Sequence, residues 1–319
     1  MTRSTLLRAA AATVLPLLLA TAQAAAPMAR TQAPGYYRMM LGDFEVTALL
    51  DGTAMLPVGQ FLDHVTPDQV RHALAREYLS EPLELSVNAF LVNTGSKLVL
   101  IDTGDGAGMD GTGRLLANLR AAGYGPEQVD EIYITHMHGD HISGLTKDGQ
   151  RQFPNAIVRA ARAEGDHWLS GERMAAAPAE ARDSFRHAME VLDPYVKAGK
   201  YSPIDGDVEL VPGVRALATP GHTPGHTCYL VESRGQRLLL IGDLVHVEPL
   251  QFRTPAITLK FDTDSRAAFE QRLRIFKEAA QSGEWIGAAH MSFPGLGHIR
   301  AEGAGFAWVP ANYSLPPGA

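Results

Sequence analysis

Thr135-His136-Met137-His138-Gly139-Asp140-His141 sets three imidazoles and a carboxylate within the six residues from His136 to His141. The run before it, Glu131-Ile132-Tyr133-Ile134-Thr135, is apolar enough for a buried strand, so the histidines leave the end of that strand. In extended chain, alternate side chains point the same way. His136 and His138 can therefore pinch one ion from one side, while Asp140 and His141 turn toward a second. A solvated polar turn has no need of three imidazoles at this spacing.

Three more polar residues close apolar runs in the same manner. His222 follows Leu217-Ala218-Thr219-Pro220-Gly221, and His290 follows Trp285-Ile286-Gly287-Ala288-Ala289. Asp243 follows Leu238-Leu239-Leu240-Ile241-Gly242, a strand that would bury an unpaired carboxylate unless something positive meets it. Singly, each is an ordinary loop or core residue. Together, ligands at the ends of four strands describe a site assembled along one edge of a sheet, where functional loops cluster.

The rest of the chain supplies the strands and helices for such a sheet. Phe44–Leu50 alternates weakly and is expected to stop at the turn pair Asp51-Gly52. Ala89–Val92 and Leu98–Ile101 flank Asn93-Thr94-Gly95-Ser96 as a hairpin, and Leu98-Val99-Leu100-Ile101 suits a strand buried on both faces. Further strands are expected at Ala156–Ala160, Val214–Ala218, Thr227–Val231 and Leu238–Ile241. Arg114–Ala122 reads as a helix stopped by Gly123. Phe185, Met189, Leu192 and Val196 form a helical stripe within Ala181–Val196, although Pro194 should disturb its last turn. Phe269, Leu273, Phe276 and Ala280 repeat that spacing, and the proline-bearing tail after Ala301 reads as irregular chain. Strand pairs followed by helices in both halves imply a layered α/β fold in one domain.

Composition narrows the function. The 319 residues are 45% hydrophobic and 20% charged, which is globular, and a formal charge of −7 argues against a nucleic-acid binder. Twelve histidines stand against one cysteine, so no disulfide framework or multi-cysteine zinc module is available; imidazole and carboxylate must hold any metal. Residues 1–24 read as a signal peptide, with Arg3 and Arg8, the apolar run Ala9–Ala20 and Ala22-Gln23-Ala24 as cleavage site. The run is too short for a membrane span, which needs about 20 apolar residues. Its removal takes the charge from −7 to −9 and leaves residues 25–319 as an acidic periplasmic or secreted protein, with no membrane or nucleic-acid partner.

The pattern His136-x-His138-x-Asp140-His141, then His222, Asp243 and His290, resembles the metallo-β-lactamase superfamily along the length of the mature chain. Ala33-Pro34-Gly35-Tyr36-Tyr37-Arg38, Leu91–Leu100 and Ser292-Phe293-Pro294-Gly295-Leu296-Gly297-His298 are similar to its methyl parathion hydrolase-like branch. The resemblance implies an αββα sandwich, two divalent ions (zinc first) and a homodimer. It implies that His136, His138 and His222 hold one ion, that Asp140, His141 and His290 hold the other, and that Asp243 bridges them. Asp140 and Asp243 are then the catalytic carboxylates, Asp102 orients a ligand imidazole, and His226 is not a ligand.

The chemistry that follows is hydrolysis by hydroxide held between two cations, with no protein nucleophile. Cys228 is expected to be a buried, inert thiol. His64, His72, His167 and His187 have ordinary surface or packing roles, and His298 has no assignment. The branch's phosphotriesterases carry leucine where this chain has His246 and Phe261. His246 could hydrogen-bond a planar ester or lactone oxygen, and Phe261 would narrow the space for a triester; Trp168 and Met109 are further candidates for the pocket wall. Small uncharged lactones or aryl esters are the expected substrates, with phosphotriesters as a side reaction. The alternatives are an organophosphate triesterase and a non-catalytic metal-binding protein; the complete ligand set argues against the latter.

Overall fold

In Leu98-Val99-Leu100-Ile101 every side chain is buried, yet parity sends them to two different cores. Leu98 and Leu100 pack with helices, whereas Val99 and Ile101 face a second sheet. The same division recurs at Leu238 and Leu240 against Leu239 and Ile241. A strand's side chains alternate between its faces, so a continuous apolar run belongs to a sheet covered on both. Each such Leu, Val or Ile contributes about 1.5–3 kcal/mol on burial.

The structure, a computed structural model, describes residues 26–315; the expected signal peptide 1–24 lies outside the described residues. Residues 26–33 have no regular secondary structure, and from Pro34 the described chain is one packed unit. Its first sheet is laid down in chain order: β1 (Tyr36–Leu41), β2 (Phe44–Leu56), β3 (Leu83–Asn93), β4 (Leu98–Ile101), β5 (Glu131–Tyr133) and β6 (Ile157–Arg159). The second follows likewise: β7 (Val208–Val211), β8 (Val214–Ala218), β9 (Thr227–Ser233), β10 (Gln236–Leu240), β11 (Trp285–Gly287), β12 (Leu296–Glu302) and β13 (Gly305–Pro310).

One core lies between the sheets, joining Val46, Phe90 and Ile101 to Val214, Tyr229 and Leu240. The outer face of the first sheet is covered by helices Leu115–Ala121 and Arg182–Lys197, and that of the second by helix Ser265–Ser282. The order helix, sheet, sheet, helix is the αββα sandwich. Among the described residues, no helix is long and apolar enough to cross a membrane.

Most strand pairs are antiparallel, but β4–β5, β5–β6 and β10–β11 are parallel. A parallel pair needs a crossover, so the chain leaves each of these strands at the same edge of its sheet. Asp102 directly follows β4, His136 lies three residues past β5, Asp243 three past β10 and His290 three past β11. The carboxyl ends of parallel strands are where open α/β sheets place their ligands.

Four expectations change. Asp51-Gly52 is not a turn; β2 runs through it, with a register shift between Leu50 and Gly52. Asp51 is buried there because its carboxylate accepts the backbone N–H groups of Asp105, Gly113 and Leu115. The tail is not irregular, since β12 and β13 form a hairpin that ends at Pro310, where a proline costs no internal ladder bond. Helix Arg182–Lys197 continues through Pro194, its last turn held by buried Tyr195, whose hydroxyl donates to the Leu145 carbonyl. The core face of that helix is Phe185, Ala188, Val191, Leu192 and Tyr195, so Val196 falls on the exposed side.

Candidate metal centre

Beyond β5 the chain stays extended as far as His138 and then coils into a single helical turn, Gly139–Ile142. The extended part brings His136 Nε2 within 3.1 Å of His138 Nδ1; the turn swings Asp140 and His141 the other way. His222 Nε2 joins the first pair at 3.1 Å from His138 Nδ1, and Asp243 Oδ2 lies 3.4 Å from both His136 Nε2 and His222 Nε2. On the other side, Asp243 Oδ1 is 3.2 Å from His141 Nε2 and 3.1 Å from His290 Nε2. Asp140 Oδ2 completes that group, 3.5 Å from His141 Nε2 and 3.4 Å from His290 Nε2. The seven residues thus converge in two groups with one oxygen of Asp243 turned to each, and His246 stands within donor distance of Asp243 and His290.

These separations match those between ligands of one ion. With metal–nitrogen bonds of about 2.0–2.1 Å, the edge of a coordination tetrahedron is ~3.3 Å. His141 Nε2 and Asp243 Oδ1 are buried with no hydrogen-bond partner, an expensive state unless a cation lies between them. The opposite nitrogen is held in place in four of the five rings. His141 Nδ1 faces Asp102 Oδ2 at 2.9 Å, His222 Nδ1 faces Asp262 Oδ1 at 2.7 Å, and His290 Nδ1 donates to the Ser86 carbonyl at 2.9 Å. His136 Nδ1 lies 3.1 Å from Thr135 Oγ1. A ring whose Nδ1–H is donated away offers its Nε2 lone pair to an ion.

Electrostatics say the same. Burial works against charge on all these rings, and at His138 it wins, pushing the imidazole down to about 3. At His222 the Asp243 and Asp262 carboxylates outweigh burial and raise the ring to about 9; Asp243 and its neighbouring carboxylates likewise lift His141 and His290. Burial also opposes charge on Asp140 and Asp243, yet the surrounding imidazoles hold both below the usual carboxylate range. Such a site draws positive charge into itself. The residues fit two divalent ions, with mixed nitrogen and oxygen donors that suit zinc.

Asp262 and Glu164 belong to the site as well, and nothing in their local sequence announces them. Glu164 is completely buried and accepts four hydrogen bonds from the two histidine-bearing loops and from Trp168. His226 stays outside the donor set. Its Nε2 accepts the Asp243 N–H at 3.1 Å while Nδ1 meets Thr219 Oγ1 at 2.8 Å, so it fixes the Asp243 loop.

A cavity of about 340 Å³ opens over the donors, with His138, Asp140, Asp243 and His290 on its floor. Its walls are apolar: Leu56, Val58, Phe61, Leu62, Leu85, Val247 and Leu259, together with Met109 and Phe261. His246 is also in the wall, with Nε2 2.9 Å from Asp243 Oδ2. Burial pushes that imidazole down to about 4 against the pull of Asp243, and its Nε2 faces the carboxylate. Trp168 does not line the cavity. Its Nε1 is bound by Glu164, and its ring backs His138 edge-on at 5.5 Å.

The remaining histidines are apart from the centre. His64 and His72 are exposed, His167 packs against Trp168 and Phe185, and His187 bonds Ser143 Oγ. His298 covers Trp285 and meets the Glu284 carbonyl. Cys228 is buried, and burial pushes its thiol up to about 12.

The model of the metallo-beta-lactamase superfamily matches residues 83–290. An N-acyl homoserine lactonase of a Bacillus species is 31% identical over 222 residues, 62% of this chain and 80% of the relative. Among solved structures, the hydrolase AbOPH of the beta lactamase superfamily is 36% identical, with a TM-score of 0.85 over 89% of this chain and all of its own. A dizinc quorum-quenching lactonase, AidC, in complex with a homoserine product, is 26% identical with a TM-score of 0.81, over 88% of this chain and 99% of its own.

Proposed function

The chain belongs to the metallo-beta-lactamase superfamily and is a metal-dependent hydrolase, and from that premise we propose that it opens lactones and cleaves aryl esters. The observation that carries the substrate class is the cavity. Its walls are aliphatic and aromatic and, among the described residues, no lysine or arginine lines it, so an uncharged ester with an apolar arm is favoured. Relatives named as N-acyl homoserine lactonases support the lactone half of this reading.

His136, His138 and His222 would hold one ion, Asp140, His141 and His290 the other, with one oxygen of Asp243 turned to each group. When bound, such a pair lowers the pKa of water and offsets charge on the developing oxyanion. The protein's own part is positioning. Asp243 sets the spacing of the two groups, and His246 steadies its Oδ2. Asp140 turns Oδ2 to His141 and His290 and also borders the cavity. We assign its Oδ1 to accept a proton from the attacking water as the water oxygen bonds to the ester carbon, and to pass that proton to the leaving oxygen as the C–O bond breaks. The apolar walls exclude bulk water from the ester.

The test is a panel of dihydrocoumarin-type lactones, aryl esters, N-acyl homoserine lactones and methyl paraoxon, ranked by kcat/KM. Lactones or aryl esters should lead. Methyl paraoxon in first place would favour the triesterase alternative, and no turnover after metal reconstitution would favour the non-catalytic one. Changing His246 and Phe261 together to Leu should shift the lactone-to-phosphotriester ratio toward triesters by about tenfold. An unmoved ratio removes those positions from specificity. The N-terminal pattern and the family resemblance also support an exported homodimer, which a mature chain beginning at Ala25 and twice the chain mass in light scattering would bear out.

A further inference from the structure

We propose that Glu164 is a positioning residue that sets the geometry of the first metal site, formed by His136, His138 and His222, and leaves the second site largely unaffected. Glu164 sits in the first turn of helix Arg162–Trp168 with no solvent exposure. Its Oε1 accepts the Met137 N–H at 2.8 Å and the Trp168 Nε1–H at 2.7 Å. Its Oε2 accepts the Thr223 hydroxyl at 2.9 Å and the Gly225 N–H at 2.8 Å.

Three of the four donors lead directly to a ligand of the same ion, and Gly225 lies in the loop that carries His222. Met137 is the residue between His136 and His138, Thr223 follows His222, and Trp168 places its ring edge against His138. The second site hangs elsewhere: His141 on Asp102 and His290 on the Ser86 carbonyl.

The charge is the informative part. All four donors are neutral, so no ion pair offsets the cost of burying this carboxylate. A carboxylate offers about four acceptor positions, whereas the oxygen of an amide offers two. Joining two loops and an indole at one point therefore requires Glu, and Gln would set its NH2 group against donors. Loss of the junction should let the His136–His138 segment and the His222 loop drift relative to each other while the Asp140, His141 and His290 group keeps its own supports.

This inference rests on the two-ion reading, and the experiment separates the two. Metal-stripped wild type and Glu164→Gln are titrated with Co(II) and Zn(II) against a chelator, each site's affinity being resolved, with the Co(II) absorption bands recorded alongside. The first-site affinity of the variant should fall at least tenfold and its band change, with second-site affinity within about twofold of wild type. Thr223→Val and Trp168→Phe each remove a single donor and should weaken the first site by less, which keeps the inference testable if Glu164→Gln does not fold. Equal weakening of both sites, or an unchanged first site, overturns it. A wild-type chain that takes up fewer than two ions overturns the two-ion reading and this inference with it.

Discussion

Asp262 lies 40 residues from His222 in the chain, yet its Oδ1 holds the imidazole Nδ1 at 2.7 Å. Truncating it frees the ring to rotate and to change tautomer, and supporting carboxylates of this kind are typically worth 10–100-fold in metal affinity. Asp262→Ala should therefore lower first-site zinc affinity by about that factor in a chelator titration; an unchanged affinity would show that His222 is held by packing alone. Cys228 gives a residue-scale check on the core. Burial disfavours the thiolate, so a thiol raised to about 12 leaves only about one part in ten thousand ionised at pH 8. Iodoacetamide should leave the folded protein unmodified at pH 8 and label it once denatured, and rapid labelling of the native chain would contradict the packing described. The seven donor residues are legible because His136, His222, Asp243 and His290 follow apolar runs, and His138, Asp140 and His141 follow His136 at fixed spacing. Asp262, Glu164 and the Ser86 carbonyl are not, because the histidine-bearing segments they hold lie 27 or more residues away and only tertiary folding brings them together.

Among the elements, buried strands are the most legible in the sequence. Leu98–Ile101 and Leu238–Leu240 are continuous apolar runs, and the hairpin pairing Asn93 with Leu98 follows from its Asn-Thr-Gly-Ser loop. Asp51-Gly52 misled because a turn pair can also be a bulge inside a long strand. What decides between them is tertiary: Asp51 caps three distant amides, and Gly52 lies where a Cβ would come 2.1 Å from the Gly111 carbonyl oxygen. Gly52→Ala should accordingly destabilise the fold by about 1–3 kcal/mol in urea unfolding. A variant as stable as wild type would mean that the 105–113 loop does not lean on the bulge. The helix Arg182–Lys197 shows a partial success, in which apolar spacing located the helix and its core residues Phe185 and Leu192 but placed Val196, which is exposed, on the same face.

For the whole molecule, one geometric fact organises the rest. Parallel strand pairs in both sheets deliver their carboxyl ends to a single edge, so loops from the two halves of the chain meet there. Those loops carry five histidines and two aspartates at tetrahedral-edge separations, beneath an apolar cavity. The twelve-to-one ratio of histidine to cysteine had already required imidazole and carboxylate ligands, but the cavity walls, drawn from Leu56 to Leu259, could not be assembled from spacing. The central claim is that both groups of donors bind metal and that hydrolysis depends on both. Stepwise addition of Zn(II) to the stripped protein, with lactone hydrolysis followed at each step, addresses it directly. Activity should rise until two equivalents per chain are bound and then level off. Saturation at one equivalent, or two ions bound without hydrolysis of any lactone or ester, would contradict the account.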